Sequence, residues 1–148
     1  MLLFISCASA EITEGDEDIV NSSTTDMEIQ VVEIVNAERE KQNLTPLVID
    51  ESLMKSCDIR AKELVNNFSH TRPGGSSCFT SIETSYNAAG ENIAYGQKNA
   101  QVVMTGWMNS EGHRKNILSD EYTHIGVGCY EKDNILYWVQ LFIRKKGS

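Results

Sequence analysis

The hydrophobic pattern of this chain changes period near its C-terminal end, and this change limits the fold classes that the chain can adopt. Earlier in the chain, apolar residues recur at helical steps, as at Ile29, Val32 and Val35. From Ile125 onward they alternate with other residues, and the polar run 131–134 interrupts the alternation as a hairpin connection does. Helices followed by an antiparallel hairpin predict an α+β domain in which helices pack on a small antiparallel sheet.

Four helical segments are predicted before the hairpin. Asn43 and Pro46 end the first of them, and Asp50 or Ser52 caps the second. A polar break at residues 110–112 follows the last helix and leads into a short basic turn. The predicted helices cover about residues 29–42, 52–66, 78–88 and 99–109.

The acidic residues are distributed unevenly along the chain. The formal net charge is −8, yet residues 8–28 contain seven acidic residues and no Lys or Arg, while the rest of the chain has 14 acidic against 13 basic residues. A nearly neutral domain without a basic stripe does not favour nucleic-acid binding. We therefore predict a signal remnant and acidic disordered tether over residues 1–28 and a single domain over 29–148.

The first seven residues are apolar and end in Cys7 after a small residue, as in the end of a bacterial lipoprotein signal. This pattern predicts a secreted protein or a cell-surface lipoprotein with Cys7 as the lipidated residue. The alternative is an ordinary disordered N-terminus. No other stretch is apolar and long enough to span a bilayer, so membrane contact is expected only through such an anchor.

Three further cysteines, Cys57, Cys78 and Cys129, do not have the spacing of a zinc-binding motif. An export compartment would allow a disulfide between two of them, but the sequence does not select the pair. Cys57, in helical register with Leu53 and Ala61, and Cys129, on the alternating face of Ile125 and Val127, also fit the role of small buried apolar residues.

Two histidines and a glutamate, His70, Glu91 and His113, interrupt the apolar pattern in three separated segments. Imidazole and carboxylate groups bind metals and transfer protons, so a fold that brought the three together would form a chemical site. Each residue also has a structural interpretation. His70 could cap the second helix, Glu91 could accept backbone hydrogen bonds in a turn, and His113 could be a partly buried histidine bonded to a carbonyl group.

Several motifs in order resemble the bacterial branch of the CAP superfamily, named after cysteine-rich secretory proteins, antigen 5 and pathogenesis-related proteins and also called the SCP domain. The resemblance covers about residues 29–144 and implies a three-layer α-β-α sandwich with an open cleft. In that family two histidines and two glutamates form a tetrad able to hold a divalent metal such as zinc. The motifs are Phe68–Thr71, Gly90–Ala94, Trp107–Leu118, His124–Gly128 and Tyr137–Gln140.

Carried over position by position, the resemblance places His70, Glu91 and His113 in the tetrad. This chain has Ser110 where the eukaryotic members have the second glutamate, and Glu111 follows one position later. A shift of one residue turns a helical side chain by about 100°, so Glu111 can replace that ligand only if the helix has already ended. His124, which directly precedes the Ile-Gly-Val-Gly segment, is a secondary cleft candidate, with a surface position at the strand edge as the alternative.

The resemblance implies an extracytoplasmic binding module for a lipid, cell-wall or protein ligand, with a divalent metal in the cleft. The alternative is a metal-dependent hydrolase, a protease or esterase, in which Glu91 or Glu111 acts as general base. A passive structural unit is a third alternative. The sequence contains no recognisable serine, cysteine or metalloprotease motif, which favours binding over catalysis. Trp107 could belong to a ligand platform, but a core position is the more common role of such an aromatic residue.

Overall fold

The computed structural model describes residues 14–147, with side chains from residue 24 onward. Four helices and four strands make up this part of the chain. In chain order the elements are α1 (Glu14–Glu40), β1 (Val48–Ile49), α2 (Glu51–Leu64), a 3₁₀ turn (Cys78–Ser81), β2 (Tyr86–Tyr95), α3 (Ala100–Met108), α4 (Glu111–Ile117), β3 (His124–Lys132) and β4 (Ile135–Lys145).

The four strands form one mixed sheet in the order β1-β3-β4-β2. The predicted hairpin is confirmed as β3 and β4, which are antiparallel neighbours. Asp133 and Asn134 connect them with φ angles of 52° and 60°, the left-handed conformation that a two-residue hairpin turn requires. Strand β2 pairs antiparallel with β4 on one side, and the short strand β1 pairs parallel with β3 on the other.

Helices cover both faces of the sheet, which confirms the three-layer α-β-α sandwich. Successive residues of β4 point to opposite faces. Trp138 and Phe142 belong to a core with α1, α3 and α4, whereas Val139 and Leu141 belong to a second core with α2. Trp107 is 2% exposed, so its predicted core position is confirmed.

Strand β3 contacts α2 directly through two glycines. A Cβ atom at Gly126 would lie 2.5 Å from the backbone carbon of Leu53, and one at Gly128 would lie 2.5 Å from that of Cys57. Real Cβ contacts are longer than this, so any larger residue would push α2 away from the sheet. The glycines of the Ile-Gly-Val-Gly motif therefore set the spacing between the two layers.

The first helix begins much earlier than predicted. It starts at Glu14 instead of residue 29, so residues 24–28 are packed helix and not disordered tether. Thr24 and Glu28 are buried, and Met27 packs against the core of the α1 face. The acidic composition of residues 8–28 predicted disorder, and the buried positions within residues 24–28 were too few to indicate a helix. Cys7 and the rest of residues 1–13 lie outside the described residues, so the lipidation prediction stays a prediction.

The predicted helix over 78–88 is wrong. A 3₁₀ turn covers only its first residues, and β2 begins at Tyr86. Gly90, Glu91 and Asn92 therefore lie within a strand and not in a turn. Strand β2 does not alternate in hydrophobicity, because both of its faces are covered between Gly90 and Ile93. Its conformation follows from pairing with β4, which local sequence does not report.

The other helices largely follow the sequence. Asp50 accepts a hydrogen bond from Leu53 N–H at the start of α2, and Asn99 caps α3 in the same way. Residues 111–117, expected as a polar break and a turn, form the separate helix α4. Within the described part of the chain, none of the helices is apolar over a length that would cross a membrane.

Candidate functional site

The candidate site lies beside β2, the strand at one edge of the sheet. A loop between α2 and the 3₁₀ turn carries His70. Cys78 N–H donates to the His70 carbonyl oxygen at 2.9 Å, and a bridge between Thr71 and Ser77 closes the loop above it. The imidazole of His70 is therefore attached to a loop whose two ends are bonded to each other.

His70 and Glu91 are in direct contact, as the sequence predicts. His70 Nδ1 lies 2.8 Å from Glu91 Oε1. The two side chains differ sharply in exposure, at 59% for His70 and 1% for Glu91. Glu91 is buried because β2 directs it toward α2, where Arg60 meets it.

Arg60 is the partner of Glu91 that sequence reasoning missed. Its guanidinium is fully buried and donates to both oxygens of Glu91, at 2.8 Å and 3.1 Å. It also donates to Glu63 and to the carbonyl oxygen of Ser69. Burial alone would lower the pKa of Arg60, but the hydrogen bonds to Glu91 and Glu63 raise it overall. Arg60 therefore neutralises Glu91 and fixes the loop that carries His70.

Cys78 is a second site residue that the sequence prediction did not include. His70, Cys78 and Glu91 each contribute one atom that could bind a metal, and these three atoms lie within 4.8 Å of one another. No other group of three or more His, Cys, Asp or Glu residues among the described residues meets this condition. Burial, the charge of Glu91 and a hydrogen bond to Glu91 raise the pKa of the Cys78 thiol to about 11. Cys78 thus keeps its proton at neutral pH and is not an activated nucleophile.

His113 lies in α4, which packs on the face of β2 opposite to the one that Glu91 faces. Its carbonyl oxygen accepts a hydrogen bond of 3.1 Å from Asn92, and Asn92 is also bonded to Gln140 and Asn116. Burial lowers the pKa of His113, and the nearby His70 lowers it further. The two histidines are therefore close enough to interact electrostatically, although His113 is not a member of the group of three.

In the described part of the chain, Glu111 has no direct bond to the other candidate site residues, and its role as a ligand stays a prediction. Helix α3 ends at Met108 and α4 begins at Glu111, so the helix break that this candidate required does exist. The Glu111 side chain is nevertheless exposed, and no hydrogen bond or ion pair joins it to His70, Glu91 or His113 among the described residues. The exposed first turn of α4 leaves this carboxylate in solvent.

His124 does not line this cleft, in contrast to the prediction. It lines a separate cavity together with Val48 of β1 and Asp120. Its Nδ1 atom lies 2.8 Å from Thr123 Oγ1. Strand β3 begins at His124. Because β4 lies between β3 and the edge strand β2, His124 is separated from the site beside β2.

The three cysteines that follow Cys7 in the sequence are all buried, and none of them forms a disulfide. They are Cys57, Cys78 and Cys129, and the described structure contains no disulfide among them. Cys57 packs in the core on the α2 face and Cys129 in the core on the opposite face. For Cys57 and Cys129 the structure therefore supports the role of small buried residues.

Comparison with known proteins gives consistent matches. The pattern of the CAP family, described as the cysteine-rich secretory protein family, matches residues 32–142. The chain is 50% identical over 129 residues to the uncharacterized protein YkwD of Bacillus subtilis, covering 84% of this chain and 49% of YkwD.

Two solved structures extend the comparison. One is an extracellular protein containing an SCP domain from Bacillus anthracis, with a TM-score of 0.78 and 31% identity over 93% of this chain and 45% of that one. The other is an outer surface protein from Borrelia burgdorferi, with a TM-score of 0.66 and 26% identity over 92% of this chain and 97% of that one. This chain thus spans about half the length of YkwD and of the B. anthracis protein.

Proposed function

This chain belongs to the cysteine-rich secretory protein (CAP) family, and from that premise we propose that it is an extracytoplasmic binding module whose cleft binds a divalent metal, most favourably zinc. His70 and His113 are the protein ligands in this proposal. The metal-bearing cleft then presents a surface to a lipid, cell-wall or protein ligand outside the cell.

The observation that carries the proposal is the 2.8 Å contact between His70 Nδ1 and Glu91 Oε1. Histidines that bind metals usually donate their other ring N–H to a carboxylate, which fixes the tautomer and the ring orientation. With its proton on Nδ1, His70 offers an unprotonated Nε2 atom to the cleft, where the side chain is 59% exposed. The charge of His70 acts on His113, which makes His113 the second imidazole of the proposal.

The bonding of Glu91 supports its role as a partner of His70 and not as a direct ligand. A carboxylate has about four lone-pair sites. Two accept from Arg60, one from His70 and one from the Cys78 thiol. Two imidazoles with open positions fit zinc, which accepts nitrogen ligands readily. A bound zinc ion would supply Lewis-acid chemistry at this position.

The proposed location outside the cytoplasm rests on the relatives. The B. anthracis protein is described as extracellular and the Borrelia protein as an outer surface protein. We extend that location to this chain, with the lipid anchor at Cys7 as a further part of the proposal.

Zinc titration by calorimetry tests the metal site. We expect His70→Ala and His113→Ala each to weaken zinc binding by about 10- to 100-fold. Cys78→Ala and the matched control Glu111→Gln, which alters an exposed side chain on the helix of His113, leave the affinity near that of the wild type. A loss with Cys78→Ala as large as that with His70→Ala would instead assign the metal to the group of His70, Cys78 and Glu91. Equal affinity in all variants would reject the metal site.

Hydrolysis is a second candidate function, favoured by the same His70–Glu91 pair. A carboxylate that orients an imidazole is a common arrangement in general-base catalysis. Glu91 itself is a poor base here because Arg60 neutralises it, so the proposed base is His70. Casein and ester hydrolysis, measured with and without zinc, should be lost in His70→Ala if this function is real. Activity that survives in His70→Ala would exclude the cleft as its source.

A further inference from the structure

Glu91 and Asn92 are consecutive residues of β2, and their side chains lie on opposite faces of this edge strand. Because side chains alternate between the faces of a strand, Glu91 meets Arg60 of α2 while Asn92 meets α4. Glu91 contacts the ring of His70 at 2.8 Å. Asn92 donates to the carbonyl oxygen of His113 at 3.1 Å. Each of these two residues is therefore bonded to one of the two histidines of the proposed site.

The side-chain amide of Asn92 is completely buried, and both its nitrogen and its oxygen are bonded. The nitrogen donates to His113 and to Gln140 Oε1, and the oxygen accepts from Asn116 Nδ2 at 2.9 Å. Asn116 also donates to the carbonyl oxygen of Glu91 at 3.3 Å. These bonds join α4 to β2 at two residues of the helix. A bonded and buried polar network of this kind holds its members in one arrangement.

The ring of His113 has no direct support comparable to that of His70. Within the described residues, no hydrogen bond or ion pair reaches either of its ring nitrogens. Helix α4 has only seven residues, and its N-cap Ser110 makes no side-chain cap bond. A helix this short is not stable in water by itself. The position of the His113 imidazole therefore depends on the bonds that attach the backbone of α4 to the sheet.

Helix α4 is attached to the rest of the domain at more than one place. At its C-terminal end, Arg39 donates to the carbonyl oxygen of Ile117 at 2.9 Å, and the Ile117 side chain is fully buried. Near the middle of the helix, Asn92 bonds the residue that carries the second imidazole. Loss of the Asn92 bond should therefore leave α4 folded but allow its His113 segment to shift relative to His70.

We infer that Asn92 is a positioning residue of the proposed metal site. Its bond to the His113 carbonyl oxygen sets the place from which α4 presents the second imidazole, while Glu91 sets the orientation of His70. Residues that hold metal ligands in place weaken metal binding when they are replaced, although they do not touch the metal. The inference rests on the proposed function, because it concerns zinc binding by His70 and His113.

Zinc titration by calorimetry on the full chain, with and without His113→Ala, tests this role. Asn92→Leu removes both N–H donors of the side chain, and we expect it to weaken zinc binding about tenfold. In the His113→Ala background it should weaken binding by no more than about twofold, because the residue that it positions is already absent. The control Val139→Ala shortens a residue of the second core, whose members lie outside α4. It should lower Tm but leave the zinc affinity near that of the wild type.

Two results would overturn the inference and leave the metal site intact. One is wild-type zinc affinity in Asn92→Leu. The other is an equal loss in the presence and in the absence of His113, which indicates a general structural effect. If Asn92→Leu does not fold, Asn116→Ala is the test, since it removes the two bonds that Asn116 makes to β2, and unchanged zinc affinity would overturn the inference. Absence of zinc binding by the wild type would reject the proposed function and this inference together.

Discussion

Glu28 is a buried carboxylate on α1, and its replacement by glutamine isolates the effect of its charge on stability. The residue is 6% exposed, and its Oε1 atom accepts a 2.7 Å hydrogen bond from Cys129 N–H of β3. Burial raises the pKa of Glu28 to about 7; the bond from Cys129 opposes this shift, and the charge of Asp58 adds to it. Glutamine retains an oxygen that can accept the same hydrogen bond but has no charge.

The sign and size of the effect follow from this pKa. Between about pH 4.5 and 7 the folded state binds more protons at Glu28 than the unfolded chain does, so wild-type stability falls as the pH rises through this window. At about 1.4 kcal/mol for each pKa unit, the shift from 4.5 to about 7 gives a penalty above pH 7 of at most about 3.5 kcal/mol. Because water and mobile groups screen part of it, we expect Glu28→Gln to exceed the wild type by about 1–2 kcal/mol at about pH 8.

Thermal unfolding followed by circular dichroism measures this difference. A change of 1 kcal/mol shifts Tm by about 2–4 °C in a protein of this size. The gain of Glu28→Gln should shrink as the pH falls and vanish near pH 4.5, where both proteins are uncharged at this position. Glu33→Gln, at an exposed position on the same helix, is the matched control and should show no such trend. A gain of the same size at both pH values would refute the assignment to the charge of Glu28.

Three further predictions concern the site and the packing. Arg60→Met leaves Glu91 buried without a counter-charge, so urea denaturation should show a loss of about 3–5 kcal/mol, and a loss below 1 kcal/mol would contradict the buried pair. Gly128→Ala should cost about 1–3 kcal/mol because the added Cβ meets α2. The comparison variant Gly106→Ala, where a Cβ meets nothing within 4 Å, should gain about 0.5–1 kcal/mol. The described cysteines are buried and free, so a thiol reagent should modify them only after denaturation.

The elements that the sequence predicted correctly have local signals. Helix α2 is capped by Asp50, α3 is capped by Asn99, and the turn at Asp133 and Asn134 uses residues that accept positive φ. Strand β2 has no such signal. Glu91 points toward α2, whereas the adjacent Asn92 points toward α4, so two polar residues in succession are both buried. Only the pairing with β4 reveals them as a strand, and that information is not local.

The candidate site likewise contains residues that could be predicted from the sequence and residues that could not. The family resemblance predicted that His70 and Glu91 meet, and they do. Arg60 was missed, although it lies in the buried register of α2, three residues after Cys57 and beside Ala61. A cation in such a register requires a buried acidic partner, and this was the signal that could have found it. Glu111 could not be placed from the sequence, because its position depends on where α4 begins.

The two edges of the sheet are protected from strand pairing in different ways, and this difference bears on the proposed metal site. Along β2 the outward carbonyl groups of Glu91 and Ile93 accept hydrogen bonds from the side chains of Asn116 and Trp107. Proteins commonly cover an edge strand in this way, because unpaired backbone groups otherwise recruit other chains. The cleft at β2 is therefore suited to side-chain chemistry and not to strand addition. Strand β1 at the opposite edge is limited to two residues, and such a short edge strand also restricts pairing with other chains. Metal binding is consequently expected at the β2 edge, and variants of β1 at the opposite edge should leave it unchanged.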